Sequence, residues 1–211
     1  MRSKAVWTVC IVASLAGMAR ADITERSWYM DQSNTFGDGV NYGQVSIRAD
    51  SDTGVVQFTV DAFDVQPTYG ALNKFGIDKF GFNYQNVSSA PGDWTLSLPT
   101  NWTQGGAGNL DGFGLFLVRE TTAGANDRLT QLVFSITLPN ADEAIVDNFA
   151  VNSGGTAGEG NTYFAAHVAG FANGPGSHYI AGGAVVPAPG AVVLGVIGLG
   201  LVGWGRRRLA A

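Results

Sequence analysis

The chain has 211 residues, 17 acidic side chains against 12 Lys and Arg, a formal net charge of −5 and one cysteine. That length accommodates one ordinary domain with targeting segments, and the acidic balance argues against a nucleic-acid partner, because a phosphate backbone is recognised through clustered positive charge. One cysteine cannot build a disulfide framework, so whatever folds must be held by its core.

The first residues read as a secretory signal peptide over 1–21. Arg2 and Lys4 precede an apolar run from Ala5 to Met18, and Ala19-Arg20-Ala21 forms a small-x-small cleavage site. Cys10 lies inside this segment, in a WTVC context that lacks the small residue a lipoprotein site needs before its cysteine. The exported part is then expected to start at Asp22. With Arg2, Lys4 and Arg20 lost to the signal and Arg206, Arg207 and Arg208 in the tail, six Lys and Arg remain against all 17 acids, a net charge of −11. Such an excess of carboxylates suits solubility outside the cell, or contacts with an acidic matrix through cations.

From 22 to 182 the sequence reads as one all-β domain, a β-sandwich of jelly-roll-like type with one short helix. Val45 and Ile47 alternate with Ser46 and Arg48, and Val56, Phe58, Val60 and Ala62 alternate with Gln57, Thr59 and Asp61. A period of two buries one face of each strand. Residues 50–54, Asp-Ser-Asp-Thr-Gly, make the turn between them. Asp50, Asp52 and Asp61 also stand at three positions of a calcium loop, though Val55 occupies the usual glycine position and a strand would carry Asp61 away from the turn.

Further strands are expected over 75–84, 94–98, 112–118, 129–138, 162–171 and 178–182, each bounded by Pro, Gly, Asn or Asp. Asn140, with Glu143 three residues on, is expected to cap the short helix, which should end by Phe149. After Glu159 no charged residue occurs until Arg206, which fits a closing strand, a flexible stem over 183–189 and an apolar tail.

Chemical motifs are sparse. There are two histidines: His167, among small apolar residues, reads as a hydrogen-bonded structural histidine, and His178, after Gly-Pro-Gly-Ser, as a loop residue. No HExxH, paired cysteines, GxxxxGK or GxSxG is present, so no metal, cofactor or catalytic residue is expected. Asp61 with Asp64 and Asp142 with Glu143 are the carboxylate pairs a glycoside hydrolase would require, and with 17 acids such pairs arise by chance. Amphipathic aromatics make stacking platforms for sugar rings. Trp94 and Trp102, flanking Pro99 in a loop-rich region, are the pair expected to bind carbohydrate if exposed, the alternative being that both belong to the core.

The C-terminal residues carry the most specific signal. Pro187, Ala188 and Pro189 precede an uncharged apolar run over 190–205, and Arg206, Arg207 and Arg208 open the last six residues, 206–211. As a helix the run would rise about 24 Å at ~1.5 Å per residue, enough to cross a bilayer with snorkelling arginines or local thinning. The arginines favour the cytoplasmic side, leaving the rest of the chain outside. Proline motif, glycine-rich apolar helix and basic end together resemble the PEP-CTERM sorting signal, with alanine in place of the central glutamate. The resemblance implies a membrane exosortase as processing partner, transient anchoring in the cytoplasmic membrane, and delivery to the envelope or extracellular polysaccharide. The alternative is a permanent C-terminal anchor. Phe164 to Val168, Gly176 to Tyr179, Asp111 to Gly114 and Gly92 to Trp94 also resemble segments of small exported domains bearing this tail, most without assigned activity. The expectation is a non-enzymatic envelope or matrix protein; the alternatives are a carbohydrate-binding module and a hydrolase.

Overall fold

The computed structural model describes residues 23–63, 71–122, 124–171 and 176–185. The signal segment, Asp64, the proline motif Pro187, Ala188, Pro189, the apolar run and Arg206, Arg207, Arg208 lie outside the described residues.

In chain order the strands are β1 (Ile23–Met30), β2 (Gln32–Ser33), β3 (Gly43–Asp50), β4 (Val55–Ala62), β5 (Ala71–Phe82), β6 (Thr95–Ser97) and β7 (Trp102–Gly105). They continue with β8 (Gly108–Asn109), β9 (Leu115–Phe116), β10 (Val118–Thr122), β11 (Gln131–Thr137), β12 (Phe164–Phe171), β13 (Ser177–Gly182) and β14 (Ala184–Val185). Two six-stranded antiparallel sheets result, ordered β14-β1-β3-β4-β11-β6 and β2-β13-β12-β5-β10-β7, with a separate β8-β9 pair. The sheets pack face to face, so the all-β sandwich is observed.

The alternation read from the sequence is what closes this sandwich. Val45, Ile47, Val56, Phe58 and Val60 are fully buried, and β3 pairs with β4 along its length, Val45 opposite Val60 and Ile47 opposite Phe58. At the turn the Asp50 Oδ1 accepts from the amides of Asp52 and Thr53 at 3.0 and 3.3 Å. Gly54 takes the left-handed conformation, φ 72°, that the reversal needs. Between the sheets Phe58 stacks on Phe134 with ring planes 2° apart and centroids 4.7 Å apart, and meets Phe82 of the opposite sheet at 4.6 Å. Trp28 meets Phe164 across the same gap at 5.2 Å.

Several elements depart from expectation. The 112–118 run does not form one strand, because Gly112 and Gly114 adopt φ of 86° and 90° and turn the chain. Only Leu115–Phe116 and, after Leu117, the new strand β10 are extended. The expected short helix is replaced by two 3-10 turns, Ala141–Glu143 and Val146–Asn148. The Asn140 side chain donates to the Glu143 carboxylate at 3.1 Å instead of capping a backbone amide, so nothing propagates a helix from it. Nor does the domain stop at 182: β14 adds to the edge of β1, Val185 opposite Trp28, and converts part of the expected stem into sheet.

A second, smaller core lies on the outer face of the second sheet. Leu110, Phe113 and Phe116 are buried there over Ala165 and Ala181. Gly81 makes the room: a Cβ on it would stand 2.6 Å from Leu110 Cδ1 and 3.0 Å from Phe116 Cγ. Asn83, 4 % exposed, ties this cap down by donating to the carbonyls of Leu115 and Asn152 and accepting from the Leu117 amide.

Truncating the ring at the centre of the inter-sheet stack tests this account. Phe58→Ala is expected to cost about 3–5 kcal/mol in urea denaturation, as large-to-small core changes do. Val133→Ala, on the exposed face of β11, should stay within about 0.5 kcal/mol.

Candidate functional site

The indoles expected to bind sugar are in the core. Trp94 is 6 % and Trp102 5 % exposed. Trp94 donates from Nε1 to Ser89 Oγ at 2.9 Å and packs edge-on against Tyr84, while Trp102 donates to the Asp127 carbonyl at 3.1 Å. With both polar handles used and both rings covered, neither presents a face for stacking, which corrects that expectation.

The carboxylate pairs are not poised for acid–base work either. Asp61 accepts from Gln131 at 2.8 Å, and Glu143 accepts from the Ser88 amide at 2.9 Å and from Asn140. The Ser88 bonds hold the Glu143 carboxyl below its ordinary pKa. Asp61 sits at the far end of β4 from the Asp50 turn, so the three aspartates of the calcium reading do not converge. Among the described residues no three His, Cys, Asp or Glu side chains stand together as a metal cluster.

His167 is hydrogen-bonded on a strand, as read, while His178 is not the loop residue expected. His178, taken for a loop residue, lies on β13 at 5 % exposure, edge-on to Phe36 at 4.6 Å. Burial, with a smaller contribution from His167, pushes its pKa down to about 4. His167 instead points outward from β12, between Ala165 and Ala169, and bonds a partner far away in the chain.

That partner comes from an irregularity. Between His167 and Val168 the register of β12 on β5 shifts: His167 faces Lys79 and Val168 faces Ile77, which leaves Asp78 as the extra residue. Bulges re-aim side chains, and this one sets Asp78 Oδ1 2.5 Å from His167 Nδ1. The other carboxylate oxygen accepts from Arg128 Nε at 3.2 Å. Side-chain exposures are 15 % for Asp78, 16 % for His167 and 20 % for Arg128, so the cluster is half-sheltered and still reachable. Burial pushes the Asp78 carboxyl up, but His167 and Arg128 outweigh it and hold the pKa below the usual value. Tyr179 completes the group, its ring 4.6 Å from the imidazole. With Nδ1 engaged by Asp78, Nε2 is the ring nitrogen left to face outward.

A second cluster lies on the inward side of the same sheet. Glu120 on β10 is fully buried opposite Gln104 of β7 and Phe80 of β5. Among the described residues neither carboxyl oxygen has a hydrogen-bond partner, and the same holds for Gln104 Nε2 and Thr122 Oγ1. Burial raises the Glu120 pKa to about 8. No strand is expected between 118 and 129, so nothing in the sequence reading singles out this group; only the positions of Val118 and Glu120 two apart hint at it.

Compared with known protein families, curated proteins and solved structures, the chain matches none.

The two buried groups dictate an asymmetric pH response. Below about 4.5 Glu120 is protonated folded or unfolded; between 4.5 and 8 only the unfolded chain releases that proton, so stability falls by about tenfold in the folding constant per pH unit. His178 acts in the opposite sense: between 6.5 and about 4 only the unfolded chain takes up its proton, so stability falls as pH drops. The two slopes cancel between 4.5 and 6.5, leaving a loss from 6.5 to 8 that belongs to Glu120. In Glu120→Gln the loss from 6.5 to 8 should vanish, and stability should climb with pH up to 6.5. Urea melts at half-unit pH steps measure this.

Proposed function

We propose that the protein is an exported envelope or extracellular-matrix component without a catalytic role, delivered by a C-terminal signal of the PEP-CTERM kind. An exosortase-type enzyme is its processing partner, and the cytoplasmic membrane holds the tail until then. The observation that carries this reading is how close the last described strand stands to the proline motif in the sequence. Val185 is still bonded into the first sheet opposite Trp28, and Val186 alone separates it from Pro187. In the sequence the motif therefore follows the last described strand almost at once, and two prolines in three residues disfavour a helix there, which suits access by a membrane enzyme. The acidic, cysteine-free composition suits a domain that works outside the cell on its core alone.

The finer, jelly-roll-like description of the sandwich belongs to this proposal and draws support from the path of the chain, which changes sheet between β4 and β5, between β10 and β11, and again between β11 and β12. Polysaccharide contact is the second reading, and with Trp94 and Trp102 buried it must use another surface.

Mass spectrometry of the protein recovered from the envelope and culture medium tests delivery. The expected chain starts at Asp22 and ends near Pro189, and replacing Arg206, Arg207 and Arg208 with glutamine should leave the tail attached. A wild-type chain that keeps its last residues in the membrane fraction would instead make the segment a permanent anchor.

A further inference from the structure

The strand registers of the second sheet place five side chains in one line. Tyr179 on β13 faces His167 on β12, His167 faces Lys79 on β5, Lys79 faces Thr121 on β10, and Thr121 faces Thr103 on β7. Ile180, Ala166, Phe80, Glu120 and Trp102, each adjacent to one of these residues in its own strand, are buried between the sheets, and the bulge alone brings Asp78 to the outer side beside Lys79. The line therefore runs over the outer face, crossing four inter-strand gaps, about 19 Å at ~4.8 Å per gap. In the next row, Ala181, Ala165, Gly81, Arg119 and Gly105, the first three lie under the Leu110–Phe116 cap, and the line runs beside it.

The chemistry of the line is consistent from end to end. It offers a phenol, an imidazole, an ammonium and two hydroxyls, with Tyr179 seated against the cap and His167 oriented by Asp78. Its charge is opposite to that of the molecule. On the outward positions of these five strands Asp78 is the one carboxylate, and its oxygens are taken by His167 and Arg128. Lys79 forms no ion pair among the described residues. In a domain with a net charge of −11 the outward positions of these strands carry Lys79 and Arg119 against one carboxylate, Asp78, which Arg128 pairs from the neighbouring loop. The outer face of the first sheet differs, pairing Glu25 with Arg48 and carrying Asp50 and Asp61.

We infer that the Tyr179–His167–Lys79–Thr121–Thr103 line is a binding face for an extended acidic polysaccharide, with Lys79 meeting a sugar carboxylate. An extended chain of hydroxylated rings matches a long, flat row of short hydrogen-bonding groups, and an aromatic ring at one end gives it a face to pack on. Charge complementarity chooses the acidic polymer over a neutral one. A nucleic acid needs clustered cations along its phosphate backbone, whereas this line offers one lysine among a phenol, an imidazole and two hydroxyls that suit sugar hydroxyls. The inference rests on the exported reading only for where the polymer is met. Binding in solution reads the face and C-terminal processing reads the tail, so either can fail alone.

The test is isothermal titration of the detergent-purified full chain with polygalacturonate, dextran and single-stranded DNA at one salt concentration. Polygalacturonate should bind at least tenfold more tightly than the other two. Lys79→Ala should weaken it by about 10- to 100-fold, the worth of a charge-assisted hydrogen bond, with an unchanged melting temperature. Lys79→Arg should restore most of the affinity, and Arg48→Ala, on the opposite outer face, should bind as wild type. Absent polygalacturonate binding, equal binding of dextran or DNA, or wild-type affinity in Lys79→Ala would each overturn the inference.

Discussion

Contact between phenylalanine rings across the sandwich is the interaction on which everything else in this protein depends. There is no disulfide to restrain the unfolded chain, so the favourable free energy has to come from apolar area and packing. Phe58 is the hub, with Phe134 stacked beside it in its own sheet and Phe80 and Phe82 below it in the other. Because that layer and the Trp28–Phe164 contact hold the sheets together, the outward positions of β5, β10 and β12 carry no such duty. They are free to hold a lysine, a threonine and a histidine.

The legible parts of the fold were those in which one face is buried and the other wet. Val45 to Ile47 and Val56 to Ala62 announce their strands because their neighbours are polar. Ile23–Met30 does not, since Ile23 to Arg26 are exposed and only Trp28 and Met30 turn inward, which leaves too short a period to read. Glu120 fails for the opposite reason: a carboxyl in an inward position breaks the alternation that would have marked β10. Gly112 and Gly114 fall inside the expected 112–118 strand, but their backbone conformation makes them turns.

The candidate site was less legible than the fold, for a topological reason. His167 could be found from sequence, but its role depends on Asp78, 89 positions earlier, and on a one-residue bulge that turns Asp78 toward it. Neither a spacing nor a composition encodes a bulge. The five-residue line is hidden in the same way, because it runs perpendicular to the chain and takes one side chain from each of five strands. Tryptophan misled in the other direction. Trp94 and Trp102 stand in a loop-rich stretch, yet each indole N–H finds a partner inside the domain, and that allows the rings to sink.

The short strand at the end of the domain has a mechanical consequence. β14 runs antiparallel to β1, so from Ala184 to Val185 it points toward the end of the sheet where Ile23 begins. A pull on Val185 along the axis of β14 would load its pairing with Trp28 and Tyr29 together in shear, where a perpendicular pull would open the two pairs singly. Force that reaches β14 along its own axis thus meets a ladder pulled lengthwise, the orientation in which a two-residue strand resists best.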